Sequence, residues 1–415
     1  MRILMLSWEY PPYSVGGLAS HVEDLLEAYQ DQNIECHLIT LADSNSTTPI
    51  EVKHNIHIHR IKPYDSVSAL DFITWVLQTN IAMLEYANGL IYRTGSFDLV
   101  HAHDWLVAFT ARALKHSLKI PVIATIHATE RGRNNGIHTP MQRYIDNVEW
   151  WLCYEAWQVI CCSKHMHGEI TRNFQVPSDK VTIIPNGVDP GKLEGKGNSP
   201  SLEQQYIATD KVVSFIGRLV REKGIQVLID AAPKILEHYP NTRFVIAGKG
   251  PYQQELQNQV NKMGLAQQIN FLGYVDDDAK KFLLNRSDIA CFPSLYEPFG
   301  IVALEGMISK TPVVVSQVGG FDEIIDHGIT GMKAYPGNAN SLADQILAIF
   351  DKKVNVNQMI ANAYQKVWDE YTWDKIAANT IEVYQEVKIE AANANWISVY
   401  DKELNNTLNT NRLEH

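Results

Sequence analysis

Two carboxylates, Glu297 and Glu305, are separated by seven residues in the segment 292–305, FPSLYEPFGIVALE. The apolar run after Gly300 predicts a helix over 301–310, which places the first carboxylate on a loop and the second inside the helix. The first N–H groups of a helix have no partner within it and lie at its positive dipole end, so they can hold an anion. An anion site between two carboxylates that accept hydroxyl groups suits a sugar nucleotide.

Both carboxylates also fit a simpler interpretation as surface groups. Glu297 precedes Pro298 and is therefore held extended rather than helical. Glu305 lies among apolar residues of the predicted helix, where a carboxylate without a partner would be costly. The sequence thus implies a partner or a ligand hydroxyl for Glu305. The pair Gly319-Gly320, after the next predicted strand, repeats the pattern of glycine followed by helix.

Two cations, Arg218 and Lys223, lie in the segment 217–224, GRLVREKG, directly after a predicted strand. Cations held in place lower the barrier to departure of a diphosphate, because negative charge builds on that group. Arginine suits bidentate phosphate contact and lysine acts as a mobile point charge. Solvated surface cations are the alternative.

A loop with paired glycines, Gly16 and Gly17, runs from the first predicted strand into a helix. Glycine lets the backbone approach a phosphate closely, but the loop lacks the G-x-G-x-x-G pattern of dinucleotide folds, and a plain turn fits equally.

Histidines follow two further predicted strands, in the segments 101–105, HAHDW, and 125–131, TIHATER. His127 could contact a sugar, and Asp104 could meet its hydroxyls or an acceptor. The H-x-H pair allows a metal site, but a strand-spaced pair without a third nearby ligand supports it poorly. The segment 54–59, HNIHIH, is interpreted as an ordinary exposed strand face.

Composition narrows the class of protein. A chain of 415 residues is too long for one core and predicts two domains. The net charge of −11 argues against a general nucleic-acid or membrane binder. Five cysteines without a C-x2-C spacing favour buried thiols in a reducing compartment, and no apolar run is long enough to span a bilayer. We therefore expect a cytoplasmic protein.

Strand and helix patterns alternate along the chain, which predicts an α/β fold of two doubly wound, Rossmann-like domains facing each other across a cleft. The predicted strands are 2–8, 36–41, 57–61, 99–102, 122–126, 159–162, 212–216, 243–247, 269–272, 289–292 and 313–316. The predicted regions are an N-terminal acceptor-side domain (1–190), a linker (191–208), a nucleotide-sugar domain (209–371), a helix expected to pack back on the first domain (372–390), and a tail with a tag scar (391–415).

These motifs resemble those of retaining family 4 glycosyltransferases, which have the GT-B fold. The most specific match is the E-x7-E motif of Glu297 and Glu305, together with the G-R-x4-K-G segment, 186–189 (NGVD) and 318–320 (VGG). The segments 8–12 (WEYPP), 15–18 (VGGL), HAHDW and 125–127 (TIH) resemble the glycogen and starch synthase branch.

The resemblance implies a role for each site residue. Arg218 and Lys223 would hold the donor diphosphate, Glu297 would contact the donor sugar near the reaction centre, and Glu305 would bind the ribose. His127 would line the sugar site and Asp104 would lie near the acceptor. The remaining donor-binding residues are Gly16, Gly17, Tyr274, Val275, Phe299, Gly300 and Ile301.

The expected reaction is transfer of a hexose, glucose in particular, from a nucleotide-diphosphate sugar such as UDP-glucose or ADP-glucose, with retention. The acceptor would be a hydroxyl of a small molecule, a lipid or a glucan, and neither cofactor nor metal is expected. Ser14 stands where bacterial glycogen synthases have a lysine, which weakens the case for glucan elongation. A sugar-nucleotide epimerase and an inactive nucleotide-sugar-binding module are the alternatives.

Overall fold

A computed structural model describes residues 1–30, 32–42, 50–63, 71–193, 195, 197–206, 211–394 and 396. Contacts between Cα atoms divide the chain into two compact units. The first comprises Met1–Cys162, His167–Ile184 and the chain from Ile376 onward, and the second comprises Ser163–Met166 and Pro185–Lys375. Each unit contains one sheet.

The sheet of the first unit has eight strands in the order β3-β4-β2-β1-β5-β6-β7-β8. All neighbouring strands pair in parallel except β3 and β4. The central strands are apolar runs buried on both faces, as covered parallel sheets require. The strands are β1 (Arg2–Leu6), β2 (Glu35–Leu41), β3 (Ile50–Lys53), β4 (Ile56–Ile61), β5 (Leu99–His103), β6 (Val122–Ile126), β7 (Gln158–Cys161) and β8 (Val181–Ile183).

Helices connect these strands, and the last helix of the chain, α16, also contributes to this unit. Tyr384 of α16 is fully buried, and its hydroxyl lies 3.0 Å from the Tyr29 hydroxyl and 2.6 Å from Nδ1 of His101. The helices are α1 (Gly17–Ala28), α2 (Phe72–Thr94), α3 (Ala108–Leu118), α4 (Glu130–Arg133), α5 (Pro140–Glu155), α6 (Lys164–Asn173) and α16 (Trp373–Asn393).

The sheet of the second unit has six parallel strands in the order β11-β10-β9-β12-β13-β14. Its strands are β9 (Lys211–Ile216), β10 (Thr242–Ala247), β11 (Ile269–Gly273), β12 (Ile289–Phe292), β13 (Val313–Ser316) and β14 (Met332–Ala334). Its helices are α7 (Pro190–Leu193), α8 (Pro200–Tyr206), α9 (Ile225–His238), α10 (Gln253–Lys262), α11 (Asp277–Arg286), α12 (Ile301–Ile308), α13 (Gly319–Ile324), α14 (Ala339–Phe350) and α15 (Val356–Glu370).

The predicted parallel α/β architecture is confirmed, and every predicted strand is present with ends that differ by no more than two residues. Three short strands, β3, β8 and β14, were not predicted. The stretch proposed as a linker, 191–208, includes α8, and its Leu202 is buried. The proposed tail lies outside the described residues beyond 396, and with it the proposed tag scar.

Two local predictions have clear outcomes. All five cysteines are buried free thiols, as predicted. The prediction of an exposed strand face at 54–59 is wrong for most of the segment, because His59 is only 4% exposed and His57 is half-buried. The face of β4 that carries these rings stacks on His37 of β2, which the sequence pattern did not indicate.

Candidate active site

Glu297 is buried in the loop that follows β12. Its side-chain Oε2 accepts hydrogen bonds from Nζ of Lys223 at 2.7 Å and from Oγ of Ser294 at 3.0 Å, and the residue is 5% exposed. A buried carboxylate is tolerable when it is paired and hydrogen-bonded in this way. The loops after two neighbouring strands, β9 and β12, therefore bring together a cation and a carboxylate that the sequence placed 74 positions apart.

Two glycines allow these loops to meet. Gly224 has a φ of +71°, and a Cβ at this position would lie 1.8 Å from the carbonyl oxygen of Pro293. A Cβ at Gly319 would lie 2.0 Å from the carbonyl oxygen of Glu297. Any larger residue would push the β9 loop or the start of α13 away from the loop that carries Glu297.

The start of α12 carries the predicted anion-binding groups. Its N-cap, Gly300, has a φ of +108°, which favours glycine. Within the described ranges, the backbone N–H groups of Phe299, Gly300 and Ile301 donate no hydrogen bond. Arg218 follows the neighbouring strand β9 and is exposed. This edge of the second unit therefore offers donors and a cation to an anionic group.

Glu305 has a protein partner, as its position in an apolar helix implied. Nζ of Lys280, on α11, lies 3.0 Å from Oε1 of Glu305 and 3.5 Å from Oδ1 of Asp277. The charge of Glu305 raises the pKa of Lys280 above its usual range. The contact with Lys280 thus holds the Glu305 carboxylate in a fixed position. Tyr274 and Val275 follow β11, and the Tyr274 side chain is 74% exposed.

Asp104 and His127 meet at the carboxyl ends of β5 and β6 in the first unit. The backbone N–H of His127 donates to Oδ1 of Asp104 at 2.8 Å. Burial raises the pKa of Asp104 to about 6 and lowers the pKa of His127 to about 3. Asp104 also has a φ of +58°, an uncommon backbone conformation for a residue other than glycine. The structure therefore brings the two predicted residues of this unit together.

Two histidines lie beside His127: His103, considered from the sequence only as part of the H-x-H pair, and His21, which was given no role. Nδ1 of His103 lies 3.1 Å from Nε2 of His127, and the rings of His21 and His127 lie 4.6 Å apart. Nε2 of His103 is buried without a hydrogen-bond partner in the part of the chain that is described. His21 is three helical positions beyond Leu18, on the inward face of α1.

The paired glycines of the first loop have a neighbour that sequence reasoning missed. The carboxylate of Glu9, which is 3% exposed, accepts hydrogen bonds from the backbone N–H groups of Val15 and Gly16, the second at 3.1 Å. Gly17 begins α1, and a Cβ there would meet no atom within 4 Å. The N–H of Gly16 is therefore already engaged, whereas the space beside Gly17 is open.

Among the residues that the structure describes, two groups of side chains have donor atoms close enough for a metal ion. One is His21, His103 and His127, and the other is Glu35, His37 and His57. The H-x-H pair of His101 and His103 does not act as a unit, because Nδ1 of His101 lies 2.6 Å from the Tyr384 hydroxyl and Nε2 lies 2.7 Å from that of Thr125. Both ring nitrogens of His101 are thus occupied by protein.

Two family models match this chain. The one described as Glycosyltransferase Family 4 matches residues 15–192, and the one described as Glycosyl transferases group 1 matches residues 202–366. An uncharacterized glycosyltransferase of Methanocaldococcus jannaschii is 37% identical over 93% of this chain and 98% of its own length. The chain belongs to the family 4 glycosyltransferases. The glycogen synthase of Mycobacterium tuberculosis H37Rv, 34% identical over 94% of this glycosyltransferase and 95% of the relative, places it near the glycogen and starch synthase branch.

Solved structures show the fold of this glycosyltransferase. Sucrose-phosphate synthase from Thermosynechococcus elongatus superposes with a TM-score of 0.80 at 21% identity, over 93% of this chain and 98% of that one. Starch synthase IV from Arabidopsis thaliana, solved with ADP and acarbose, superposes with a TM-score of 0.74 at 15% identity, over 93% of this chain and 99% of that one. The glycosyltransferase therefore has the GT-B fold with two Rossmann-like domains. None of its described helices combines the length and the apolar character that a membrane crossing requires.

Replacing Lys280 by Met is expected to raise KM for the donor about 10-fold with little change in kcat. The substitution removes the cation that holds Glu305, the residue predicted to bind the ribose, and an interaction lost equally from the ground and transition states changes KM alone. Initial-rate kinetics over a range of donor concentrations measure both constants. The control is Lys262→Met on the exposed end of α10, and a normal donor KM in K280M would contradict the ribose role.

The His127 side chain is expected to make the protein less stable in mild acid. Its folded pKa of about 3 lies below the ordinary value of about 6.5, so between these pH values the unfolded chain binds a proton that the folded chain does not. The free energy of unfolding therefore falls as pH drops through this range. Asp104, with its raised pKa, has the opposite effect, so the His127 contribution must be isolated with a variant.

Chemical denaturation of the wild type and of His127→Asn at pH 7.5 and pH 5 isolates the contribution of His127 to the free energy of unfolding. Between pH 7.5 and pH 5, the free energy of unfolding should fall by up to about 2 kcal/mol more in the wild type than in the variant. Equal losses in both proteins would show that His127 titrates normally in the folded state.

Proposed function

We propose that this glycosyltransferase transfers a hexose, glucose in particular, from a nucleoside-diphosphate sugar to a hydroxyl acceptor with retention of the anomeric configuration. The observation that carries the proposal is the contact of Lys223 with the buried carboxylate of Glu297. It sets a cation for the leaving diphosphate beside a carboxylate for the sugar, next to the free N–H groups at the start of α12.

Relatives support a glucosyl donor. The M. tuberculosis relative is named a glycogen synthase. An Anabaena protein with a TM-score of 0.75 and 22% identity, over 93% of this chain and 100% of that one, was solved in complex with UDP-glucose, and the Arabidopsis starch synthase was solved with ADP. UDP-glucose and ADP-glucose are therefore the first donors to test.

In the proposed reaction the bond between the anomeric carbon and the diphosphate oxygen breaks, and a bond from the acceptor oxygen forms on the same face of the sugar. The acceptor proton passes to the leaving phosphate oxygen. Arg218, Lys223 and the N–H groups of Phe299 to Ile301 would stabilise the charge that builds on the diphosphate. Because the leaving group acts as the base, the reaction needs no second carboxylate of the glycosidase type, and we propose that it needs no metal.

Asp104, whose half-buried carboxyl accepts a hydrogen bond from the backbone N–H of His127, would lie near the acceptor. Ser14, the position at which the resemblance departs from bacterial glycogen synthases, is exposed. A small molecule, a lipid and a glucan are all candidate acceptors.

A donor screen followed by product analysis tests the proposal. Ligands that bind the folded state raise its melting temperature by mass action, so UDP-glucose, ADP-glucose, GDP-mannose and the free diphosphates are compared first. The stabilising donor is then incubated with glucose, glycerol and maltooligosaccharides, and the anomeric proton of the product is observed by NMR.

An α-linked product from an α-linked donor is expected. A β-linked product would overturn retention. Conversion of the donor sugar without an acceptor would favour an epimerase, and binding without turnover of any donor would favour a binding module.

A further inference from the structure

A second cluster of ionisable side chains lies on the first unit's sheet, away from Asp104 and His127. His37 of β2 is directly opposite His57 of β4, and their rings stack at 4.3 Å with an angle of 9°. Glu35 lies two positions before His37 and therefore on the same face of the strand. One donor atom from each of these three residues lies within 4.8 Å of the other two.

We propose that Glu35, His37 and His57 form a binding site for a divalent transition-metal ion, zinc in particular. Two imidazoles and one carboxylate are a common zinc ligand set that leaves a fourth position to water. Imidazole nitrogen favours zinc, nickel and copper over magnesium and calcium, which prefer oxygen ligands.

A chain of hydrogen bonds behind His37 supports this role. Nδ1 of His37 lies 3.0 Å from Nε2 of His59, and Nδ1 of His59 lies 2.9 Å from the hydroxyl of Tyr86 on α2. A histidine that binds a metal through one nitrogen almost always donates a hydrogen bond from the other, which fixes the ring and its tautomer. His59 and Tyr86 would serve His37 in this way.

The same series of hydrogen bonds lets the tautomers of His37 and His59 reverse without moving any heavy atom. Without metal, Nε2–H of His37 donates to Oε1 of Glu35 at 2.9 Å, since a carboxylate only accepts. When both imidazole rings are neutral, Nε2–H of His59 then donates to Nδ1 of His37, and the Tyr86 hydroxyl donates to Nδ1 of His59. With a metal in place of the proton on Nε2 of His37, Nδ1–H of His37 donates to Nε2 of His59, and Nδ1–H of His59 donates to the Tyr86 hydroxyl. Every ring nitrogen of the two histidines then keeps a partner.

Arg2 limits the affinity. Its Nε donates to Oε1 of Glu35 at 3.0 Å, and its Nη1 donates to the carbonyl oxygens of Thr94 and Ser96. This cation stays beside the site and repels a metal ion. The hydrogen bonds from Arg2 and His37 both go to Oε1 of Glu35, so Oε2 can bind a metal without releasing Arg2.

His57 must turn to complete the site, because stacked rings cannot both direct a lone pair at one ion. Its side chain is half-buried, and no other described side chain hydrogen-bonds its ring. We therefore expect the rings of His37 and His57 to leave their stacked arrangement when the metal binds.

Zinc titration of the full chain, prepared without a histidine tag, tests the proposal. Competition with a chromophoric chelator measures affinity and stoichiometry, and Co²⁺ reports the ligand set through its visible absorption. Glu35→Gln and His57→Gln are each expected to weaken zinc binding by at least about 10-fold. The control is His54→Asn, an exposed histidine with a φ of +56° on the turn between β3 and β4, which should bind like the wild type.

His127→Asn distinguishes this site from the other histidine group. Loss of zinc binding in that variant, with normal binding in His57→Gln and Glu35→Gln, would place the ion at His21, His103 and His127 and overturn the proposal. Absence of a zinc-dependent rise in melting temperature in the wild type would also overturn it. Circular dichroism of each variant shows whether a lost site reflects lost folding.

Discussion

Replacing Glu297 by Gln is expected to lower kcat by about 100- to 1000-fold while the protein stays folded. The substitution keeps the size of the side chain and an oxygen that can accept hydrogen bonds from Lys223 and Ser294. What it removes is the negative charge, which we propose stabilises the positive charge that develops on the anomeric carbon. An effect on the transition state alone lowers kcat and kcat/KM equally and leaves KM for the donor unchanged.

Ser294→Ala is the matched control, because it removes one hydrogen bond to the same oxygen and leaves the charge. A hydrogen bond to a charged group contributes about 1.5–3 kcal/mol to stability, so the control should unfold at a lower temperature. Because the charge remains, its kcat should stay well above that of E297Q. Steady-state kinetics with the stabilising donor measure both variants, and thermal unfolding verifies their folds. Equal rates in E297Q and the wild type would remove Glu297 from the reaction centre and leave it a structural partner of Lys223.

Strands in the interior of a sheet were more predictable from the sequence than strands at its edge. Buried parallel strands such as β6 and β13 consist mainly of β-branched and apolar residues, and the sequence predicts them residue for residue. The edge strand β3 has only four residues and is mostly exposed, so hydrophobicity gives little signal for it. The segment 54–59 was misread because alternation of histidine with isoleucine indicates one polar face, whereas that face packs against His37 and Tyr86.

Site residues were predictable where they lie within one sequence motif. Contacts between residues that are distant in the sequence were not predictable. The cost of burying Glu305 implied a partner, but only the fold identifies Lys280, which lies 25 positions earlier on another helix. Glu9 lies in the segment 8–12 (WEYPP), which assigns it no role, and its contact with Gly16 depends on the shape of the loop. His21 is one of several polar residues in α1, and only its direction toward His127 distinguishes it.

Replacing Arg218 by Ala is expected to lower kcat/KM for the donor by about 100- to 1000-fold with almost no change in stability. Arg218 is exposed, and among the described residues its side chain makes no ion pair or hydrogen bond, so its removal breaks no contact of the fold. Surface substitutions of this kind change the free energy of unfolding by about 0.5 kcal/mol or less. A large kinetic effect would therefore come from the lost contact with the diphosphate.

Two further variants distinguish position and geometry from charge alone. Arg221→Ala removes an exposed arginine from the same loop, three residues along the chain, and should leave the kinetics unchanged if location matters. Arg218→Lys keeps the positive charge but loses the planar pair of donors that binds a phosphate in two places, so it should recover only part of the activity. If R218A and R221A lose activity equally, the loop acts through its overall charge. The specific role of Arg218 at the leaving group would then be wrong.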